Sequence, residues 1–496
     1  MKSVNSLKVF IGGQWRESSD GARFDTVNPY TNLAWASIPR CTHSDVDLAV
    51  EAAHDAMSNS DWTDITASAR GALLHKLGDI IAANAEQLAE VEVSDNGKLI
   101  TEMLAQMRYL PQWFYYYGGM ADKIQGAVIP VDKPDNFNFT LHEPLGVIAA
   151  ILPWNSPLLL LAFKMAPALA AGNTMVVKPS EYTSSSTLKL AELVEEAGFP
   201  PGVFNVVTGT GNTVGARLVE HPKVAKIAFT GGDAGGRAVY QAAAKHLKPV
   251  TLELGGKSPN IVFEDANFDN AIKGVISGIF AATGQTCLAG SRLLLQRSIH
   301  DEFVDALVAF AKTARMGNPM SSDTQVGPIT TPVQYEKILH YISVAKDDGA
   351  HLALGGAAVQ SPQCGDSPWF IEPTIFTQVN NHMRIAQEEV FGPVLAIIPF
   401  DDEEEAIAIA NDIDFGLAAG VWTESIKRAL KVSSAIRAGT VWVNTYRAMS
   451  YMSPFGGYKK SGVGRENGID AMYEYLQTKS VWISTADDVP NPFVMR

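Results

Sequence analysis

The tetrapeptide Gly284-Gln285-Thr286-Cys287 ends in a thiol and lies between a predicted helix over Ala271–Thr283 and a predicted strand over Arg292–Gln296. Only a thiolate attacks, so a nucleophilic cysteine needs an exposed turn, nearby backbone N–H groups and a base. Gly-Gln-Thr offers such a turn, although a cysteine taken alone also reads as a small buried hydrophobe. Upstream, Thr251-Leu252-Glu253-Leu254-Gly255-Gly256-Lys257-Ser258 puts a carboxylate at the end of an apolar strand, before two glycines where backbone must approach something closely. Glu253 is a candidate general base, or a surface acid at a turn. Further upstream, Ile151-Leu152-Pro153-Trp154-Asn155 closes another apolar strand with a side-chain amide. That donor type stabilises an oxyanion, and it is equally a turn residue. Together the three would supply a nucleophile, a base and an oxyanion donor.

The elements that must position them alternate. From Gly146 onward, β-rich apolar runs recur at Val147–Leu152, Thr174–Val177, Val203–Val207, Lys226–Phe229 and Val250–Leu254, with helical stretches such as Ser184–Ala197 between them. This rhythm predicts right-handed βαβ units and a parallel sheet, with ligands at the carboxyl ends of the strands. Asn155, Lys178, Gly209-Thr210-Gly211, Thr230-Gly231-Gly232 and Glu253 fall at those ends. After the fourth strand, Gly231 and Gly236 frame a helix start that could hold a phosphate, or form a plain strand-to-helix turn. The ordinary Gly-x-Gly-x-x-Gly fingerprint is missing after the first strand.

A second α/β run from residue 256 to about 460 is predicted to contain strands at Ser258–Phe263, Arg292–Gln296, Leu395–Pro399 and Thr440–Asn444, with a helix opened by Asp401-Asp402-Glu403-Glu404-Glu405. Before the first sheet, short strands over residues 7–40 precede three helical stretches. One opens at Ser44 with Asp47 as a capping box, one covers Ala67–Ser94 and stops near Asn96-Gly97, and Met107–Met120 is dense in aromatics that suit core packing. Residues 124–143, broken by Gly126, Pro130 and Pro134, alternate like an exposed ribbon, and the tail from Ser480 begins as a strand.

Bulk numbers narrow the class. A chain of 496 residues is too long for one core. Its 46% hydrophobic and 19% charged residues are those of a globular enzyme. A net charge of −14 disfavours a nucleic-acid partner. Three scattered cysteines suit a reducing compartment rather than a disulfide framework. Nothing behind Met1–Ser6 looks like a signal-peptide core, and the most apolar run, Ile148–Phe163, is interrupted by Pro153, Asn155 and Pro157. A cytoplasmic protein with no membrane partner and no metal site is the expectation.

Pro153-Trp154-Asn155, Glu253-Leu254-Gly255-Gly256-Lys257 and Gly284-Gln285-Thr286-Cys287, in this order and spacing, resemble the aldehyde dehydrogenase superfamily. The resemblance extends from Phe10-Ile11-Gly12-Gly13-Gln14-Trp15 through Glu388-Glu389-Val390-Phe391-Gly392-Pro393 to Pro454-Phe455-Gly456-Gly457-Tyr458-Lys459. It implies an α/β fold of two doubly wound parallel-sheet domains. These would be a variant Rossmann NAD-binding domain (1–123 and 144–255) and a catalytic thiol domain (256–465), with a small β arm (124–143 and 466–496) that pairs subunits into a homodimer or homotetramer.

The same resemblance implies NAD-linked oxidation of a small-molecule aldehyde, with Cys287 as nucleophile, Asn155 as oxyanion donor and Glu253 as the base that activates water. Lys178 and Glu181 match residues at the adenine ribose. Gly211, Gly215, Gly231, Gly232 and Gly236 match the phosphate and adenine region, and Trp154, Leu254, Glu389 and Phe391 match positions around ribose and nicotinamide. Gln334 and Lys337 align with nicotinamide-ribose contacts, and Glu466 with a proton-relay acid or a surface helix start. A carboxylate at Glu181 favours NAD over NADP, which would be used more weakly.

Ser156 stands where many members carry a bulky aromatic, while Leu160, Phe163, Met449 and Phe455 keep the pocket wall apolar. Medium-sized or ring-bearing aldehydes are therefore expected, with an acid semialdehyde as the alternative should Arg447 sit at the mouth rather than in solvent. A CoA-acylating dehydrogenase and a non-catalytic protein on the same fold are the remaining readings.

Overall fold

The computed structural model describes residues 4–359, 364–365, 367–488 and 491–493. Parts of the predicted tail and the extreme N-terminus lie outside them. Two large parallel sheets carry the chain, as the alternating pattern predicts.

In the first sheet, Val250–Glu253, Val224–Thr230, Val147–Ile151, Thr174–Lys178 and Phe204–Val206 lie parallel in that order. Helices cover both faces, so a strand such as Val-Ile-Ala-Ala-Ile is buried at every position instead of alternating. The edges are antiparallel: Val9–Ile11 and Gln14–Arg16 on one side, and Gly462–Val463 against Leu252 and Glu253 on the other. The late chain thus returns to the first sheet before residue 465, where the sequence had suggested the second domain would end. Ala471, Met472 and Tyr475 are buried in the same core.

The second sheet orders His351–Leu354, Thr374–Thr377, Val394–Phe400, Arg292–Gln296, Pro259–Val262, Ala418–Trp422 and Thr440–Val443, all parallel except the first. Ala418-Ala419-Gly420 carries little strand propensity and went unrecognised; its neighbours on both sides impose the conformation. Val128–Ile129, Asn136–Pro144 and Leu476–Ser484 form a separate three-stranded ribbon.

Helix boundaries shift where caps decide them. The first helix is His43–Ala56, one residue earlier than predicted, because Asp45 Oδ2 accepts from both the N–H (2.7 Å) and hydroxyl (3.0 Å) of Thr42. Asp47 instead accepts from Arg217 at 2.6 Å. The stretch predicted over 67–94 is two helices, Ala67–Ala83 and Ala85–Asn96, divided at Asn84, whose side-chain amide donates to Ile80 O. The second stops at Gly97 in the left-handed region (φ 73°). Of the aromatic stripe, Trp113, Phe114 and Tyr117 are buried, and Trp113 stacks on Phe163 with centroids 5.2 Å apart.

Candidate active site

The helix before the thiol is Phe268–Phe280 and ends earlier than predicted. Ala282, Thr283 and Gly284 then take φ values of 52°, 54° and 68°, a left-handed run that non-glycine residues adopt only when their surroundings enforce it. Glu102 Oε1 accepts from the Ala282 N–H (2.8 Å), Gln285 Oε1 accepts from the Thr330 N–H (3.0 Å), and Asn155 Nδ2 donates to Gln285 O (2.9 Å). Gly284 itself is required, since a Cβ there would lie 2.1 Å from Gly392 O. The turn is therefore braced rather than loose, and it holds Cys287 partly buried with its sulfur in a cleft.

Glu253 reaches the same cleft from the end of its strand, level with Thr230 on the neighbouring strand, and the Gly231 N–H donates to Glu253 O at 3.0 Å. Among the described residues, neither carboxylate oxygen of Glu253 has a hydrogen-bond partner. Burial holds this carboxyl well above the ordinary range, the nearby Glu466 adds to the effect, and Lys164 and Arg465 oppose it. Burial likewise pushes the Cys287 thiol up to about 12, with Glu253 and Glu389 contributing, while the Leu288 N–H and Lys98 pull it down. The resting thiol is thus protonated and needs a base.

Lys164 is a site residue that sequence reasoning missed. Fully buried in the helix Pro157–Ala170, it pairs with the Glu466 carboxylate and donates to Thr230 Oγ1 at 2.7 Å. The available signal was a single lysine in an otherwise apolar helix, which must find a buried partner. Glu466 is consequently not a surface acid.

Trp154, Asn155, Gly231, Gly232, Glu253, Leu254, Cys287, Glu389 and Phe391 line one cleft, as do Gln334 and Lys337. Glu389 Oε1 accepts from the Gly256 N–H at 2.9 Å, a Cβ on Gly255 would come within 2.4 Å of the same carboxylate, and a Cβ on Gly256 would come within 2.7 Å of Cys287 O, which explains the paired glycines. Phe391 (φ 58°) stands edge-on to Trp154 at 5.3 Å, its loop held by Gln334 Nε2 on the carbonyls of Val390 (2.8 Å) and Phe391 (2.9 Å).

Lys178, Glu181, Gly211, Gly215 and Gly236 lie outside that wall. Lys178 ends the strand paired with Ile151. Its Nζ bonds Pro179 O at 2.7 Å and stands 3.6 Å from Glu181 Oε2, and Gly215 packs on its stem. Gly236 allows its helix to meet Leu254, whose Cδ2 would be 2.4 Å from an added Cβ. Added Cβ atoms on Gly211 and Gly232 would meet nothing within 4 Å among the described residues, leaving open backbone along strand ends and at the N-terminus of the helix Asp233–Ala244. The orphaned oxygens of Glu253 and this open backbone fit an extended dinucleotide reaching from Lys178 to Cys287. Among the described residues, no three His, Cys, Asp or Glu side chains cluster as a metal site requires, and no helix is long and apolar enough to cross a membrane.

Leu160 also lines the cleft; Ser156, Phe163 and Phe455 are buried and Met449 is half-buried. The Arg447 guanidinium donates to Ala281 O (3.2 Å) and Ser277 O (3.5 Å). It therefore caps the end of the helix that leads to the thiol, rather than standing free in solvent.

Residues 15–481 match the model of the aldehyde dehydrogenase family. A (Z)-2-((N-methylformamido)methylene)-5-hydroxybutyrolactone dehydrogenase of Acinetobacter baylyi is 45% identical over 99% of this chain and 100% of its own. Human retinaldehyde dehydrogenase 3 is 45% identical over 98% and 94%. Among solved structures, betaine aldehyde dehydrogenase of Staphylococcus aureus in complex with NAD+ superposes with a TM-score of 0.97 at 39% identity, covering 99% of this chain and 97% of that one. An NAD+ complex of aldehyde dehydrogenase from Bacillus cereus superposes at 0.95 and 42% identity, covering 97% of each chain.

Proposed function

The chain belongs to the aldehyde dehydrogenase family, and from that premise we propose that it oxidises an aldehyde to the carboxylic acid with NAD through a thioester on Cys287. The observation supporting these roles is the convergence of three groups on one cleft: the Cys287 thiol, the Asn155 amide bonded to the thiol's own turn, and a Glu253 carboxyl whose oxygens have no hydrogen-bond partner among the described residues.

Cys287, once deprotonated, attacks the carbonyl carbon and forms an S–C bond, and charge collects on the carbonyl oxygen. The Asn155 amide has a second hydrogen beyond the one given to Gln285, and with the Cys287 N–H it stabilises that oxygen, a donor contribution of roughly 3 kcal/mol. NAD held in this cleft would supply the acceptor for the hydride that leaves the substrate carbon. Glu253 then takes a proton from water as its oxygen adds to the thioester carbon. The C–S bond breaks, and the sulfur leaves as thiolate.

Lys178 and Glu181 would hold the adenine ribose, and Glu389 with the loop of Phe391 would flank the nicotinamide end. A carboxylate at Glu181 accepts from a 2′-hydroxyl and repels a 2′-phosphate, favouring NAD. Ser156, with an apolar wall of Leu160, Phe163 and Phe455, supports medium-sized or ring-bearing aldehydes; two relatives are named for a substituted lactone and for retinaldehyde. The three-stranded ribbon exposes Val128, Phe137, Leu141, Trp482 and Ile483, a surface suited to pairing subunits into a homodimer or homotetramer. Cytoplasmic placement remains our reading of the cysteine usage.

NADH absorbance over an aldehyde panel, with NAD or NADP and with or without CoA, tests this reading. Turnover with NAD that yields free acid and ignores CoA is expected. A CoA thioester as product overturns water as acceptor, and no hydride transfer with any aldehyde overturns the oxidation itself.

A further inference from the structure

One peptide group, that joining Ala281 to Ala282, is held at both ends by an acidic and a basic side chain from distant parts of the chain. Glu102 Oε1 accepts from its N–H, that of Ala282, at 2.8 Å, and Arg447 Nη1 donates to its carbonyl, Ala281 O, at 3.2 Å. Glu102 sits in the first turn of the helix Ile100–Tyr109, and Arg447 lies in the loop beyond the strand Thr440–Val443. They are 180 and 166 residues away in sequence from the atoms they meet. Hydrogen bonds with an ionised partner are the stronger class, so the pair is well suited to fix which way this peptide faces.

The orientation it fixes is the less favourable of two. Ala281 (φ −58°, ψ 142°) and Ala282 (φ 52°, ψ 28°) take angles close to the central pair of a type II turn, whose second central position suits glycine. Turning the one peptide over would give a type I turn with Ala282 at negative φ, the conformation an alanine prefers. The flip would carry the N–H away from Glu102 and the carbonyl away from Arg447. Its effect would reach the thiol through a short run of bonds: Ala282 O accepts from the Gln285 N–H at 3.0 Å, and Gln285 O accepts from Asn155 Nδ2 at 2.9 Å, two residues before Cys287.

We propose that Glu102 and Arg447 form a two-ended clamp that selects the strained orientation of the 281–282 peptide and so places Cys287 and its oxyanion donor for attack on the aldehyde. Both are positioning residues, since neither lines the cleft that holds the thiol. The inference rests on Cys287 being the nucleophile.

The test measures the NADH burst in stopped flow and, with neither cofactor nor aldehyde present, the rate at which iodoacetamide alkylates Cys287, located by peptide mass. Wild type is compared with Glu102→Gln, Glu102→Leu, Arg447→Met and the double variant Glu102→Leu/Ala282→Gly. Leucine has no acceptor, and Glu102→Leu should slow both rates about tenfold or more, the worth of one charge-assisted hydrogen bond. Glutamine keeps a carbonyl oxygen for the Ala282 N–H and should keep most of both rates, while Arg447→Met should slow them. Glycine enters the left-handed region at little cost, so Ala282→Gly should restore most of what Glu102→Leu loses. A role of Glu102 in packing or folding alone predicts no such recovery. Wild-type rates in folded Glu102→Leu, glutamine as slow as leucine, or no recovery with glycine each overturn the clamp, and wild-type rates in Arg447→Met overturn it whether or not Glu102→Leu folds. Should wild type form no NADH with any aldehyde, the dehydrogenase reading falls, and the alkylation rates then decide the clamp by themselves.

Discussion

Lys164 and Glu466 form a fully buried ion pair, and Lys164 also donates to Thr230 Oγ1 at 2.7 Å, the residue level with Glu253 on the adjacent strand. The pair therefore tunes the base from behind: Glu466 raises the proton affinity of Glu253 and Lys164 lowers it.

Glu253 acts deprotonated, so hydrolysis speeds up as pH rises through its pKa. Glu466→Gln removes a like charge and should move that acid limb to lower pH; Lys164→Met removes a counter-charge and should move it higher. Profiles of kcat against pH read both, and superimposable profiles would uncouple the pair from the base. Lys164→Met also leaves Glu466 buried without its cation, which should cost about 3–5 kcal/mol in urea unfolding.

Glu253→Gln keeps the shape but cannot accept water's proton. A rapid burst of NADH followed by slow turnover is expected in stopped flow. Equal slowing of both phases would assign Glu253 to thiol activation instead.

Cys287→Ala should abolish oxidation while NAD still binds, because the sulfur forms the covalent adduct and the cofactor's cleft has many other walls. Turnover above roughly a tenth of wild type would remove the thiol from the mechanism.

Asn155→Ala deletes both an oxyanion donor and the bond to Gln285 O. We expect kcat to fall about 100- to 1,000-fold, with faster amide hydrogen exchange over residues 282–288. A kinetic loss with unchanged exchange would limit Asn155 to the oxyanion.

Glu181→Gln should narrow the preference for NAD, since it removes the carboxylate that repels a 2′-phosphate while Lys178 stays 2% exposed at the same strand end. The ratio of kcat/KM with the two cofactors is the readout. A ratio that widens would point to Lys178 as the discriminating group.

What the sequence determined by itself is local. Asn155, Glu253 and Cys287 were legible because each follows an apolar run with turn chemistry, and the parallel strands were legible because burial on both faces makes them continuously apolar. Gly97 and the Asp402 cap announce helix ends through backbone rules that need no distant partner. Tertiary structure alone decided what depends on partners far apart in the chain. Lys164 becomes intelligible only beside Glu466, 302 residues away, and Lys98 only beside Ser156. Arg447 caps a helix on carbonyls more than 160 residues earlier, and Gly462–Val463 joins a sheet begun near the N-terminus. A buried charge or a short strand has no preference of its own; its conformation and proton affinity are set by whatever the fold brings against it, and periodicity does not encode that.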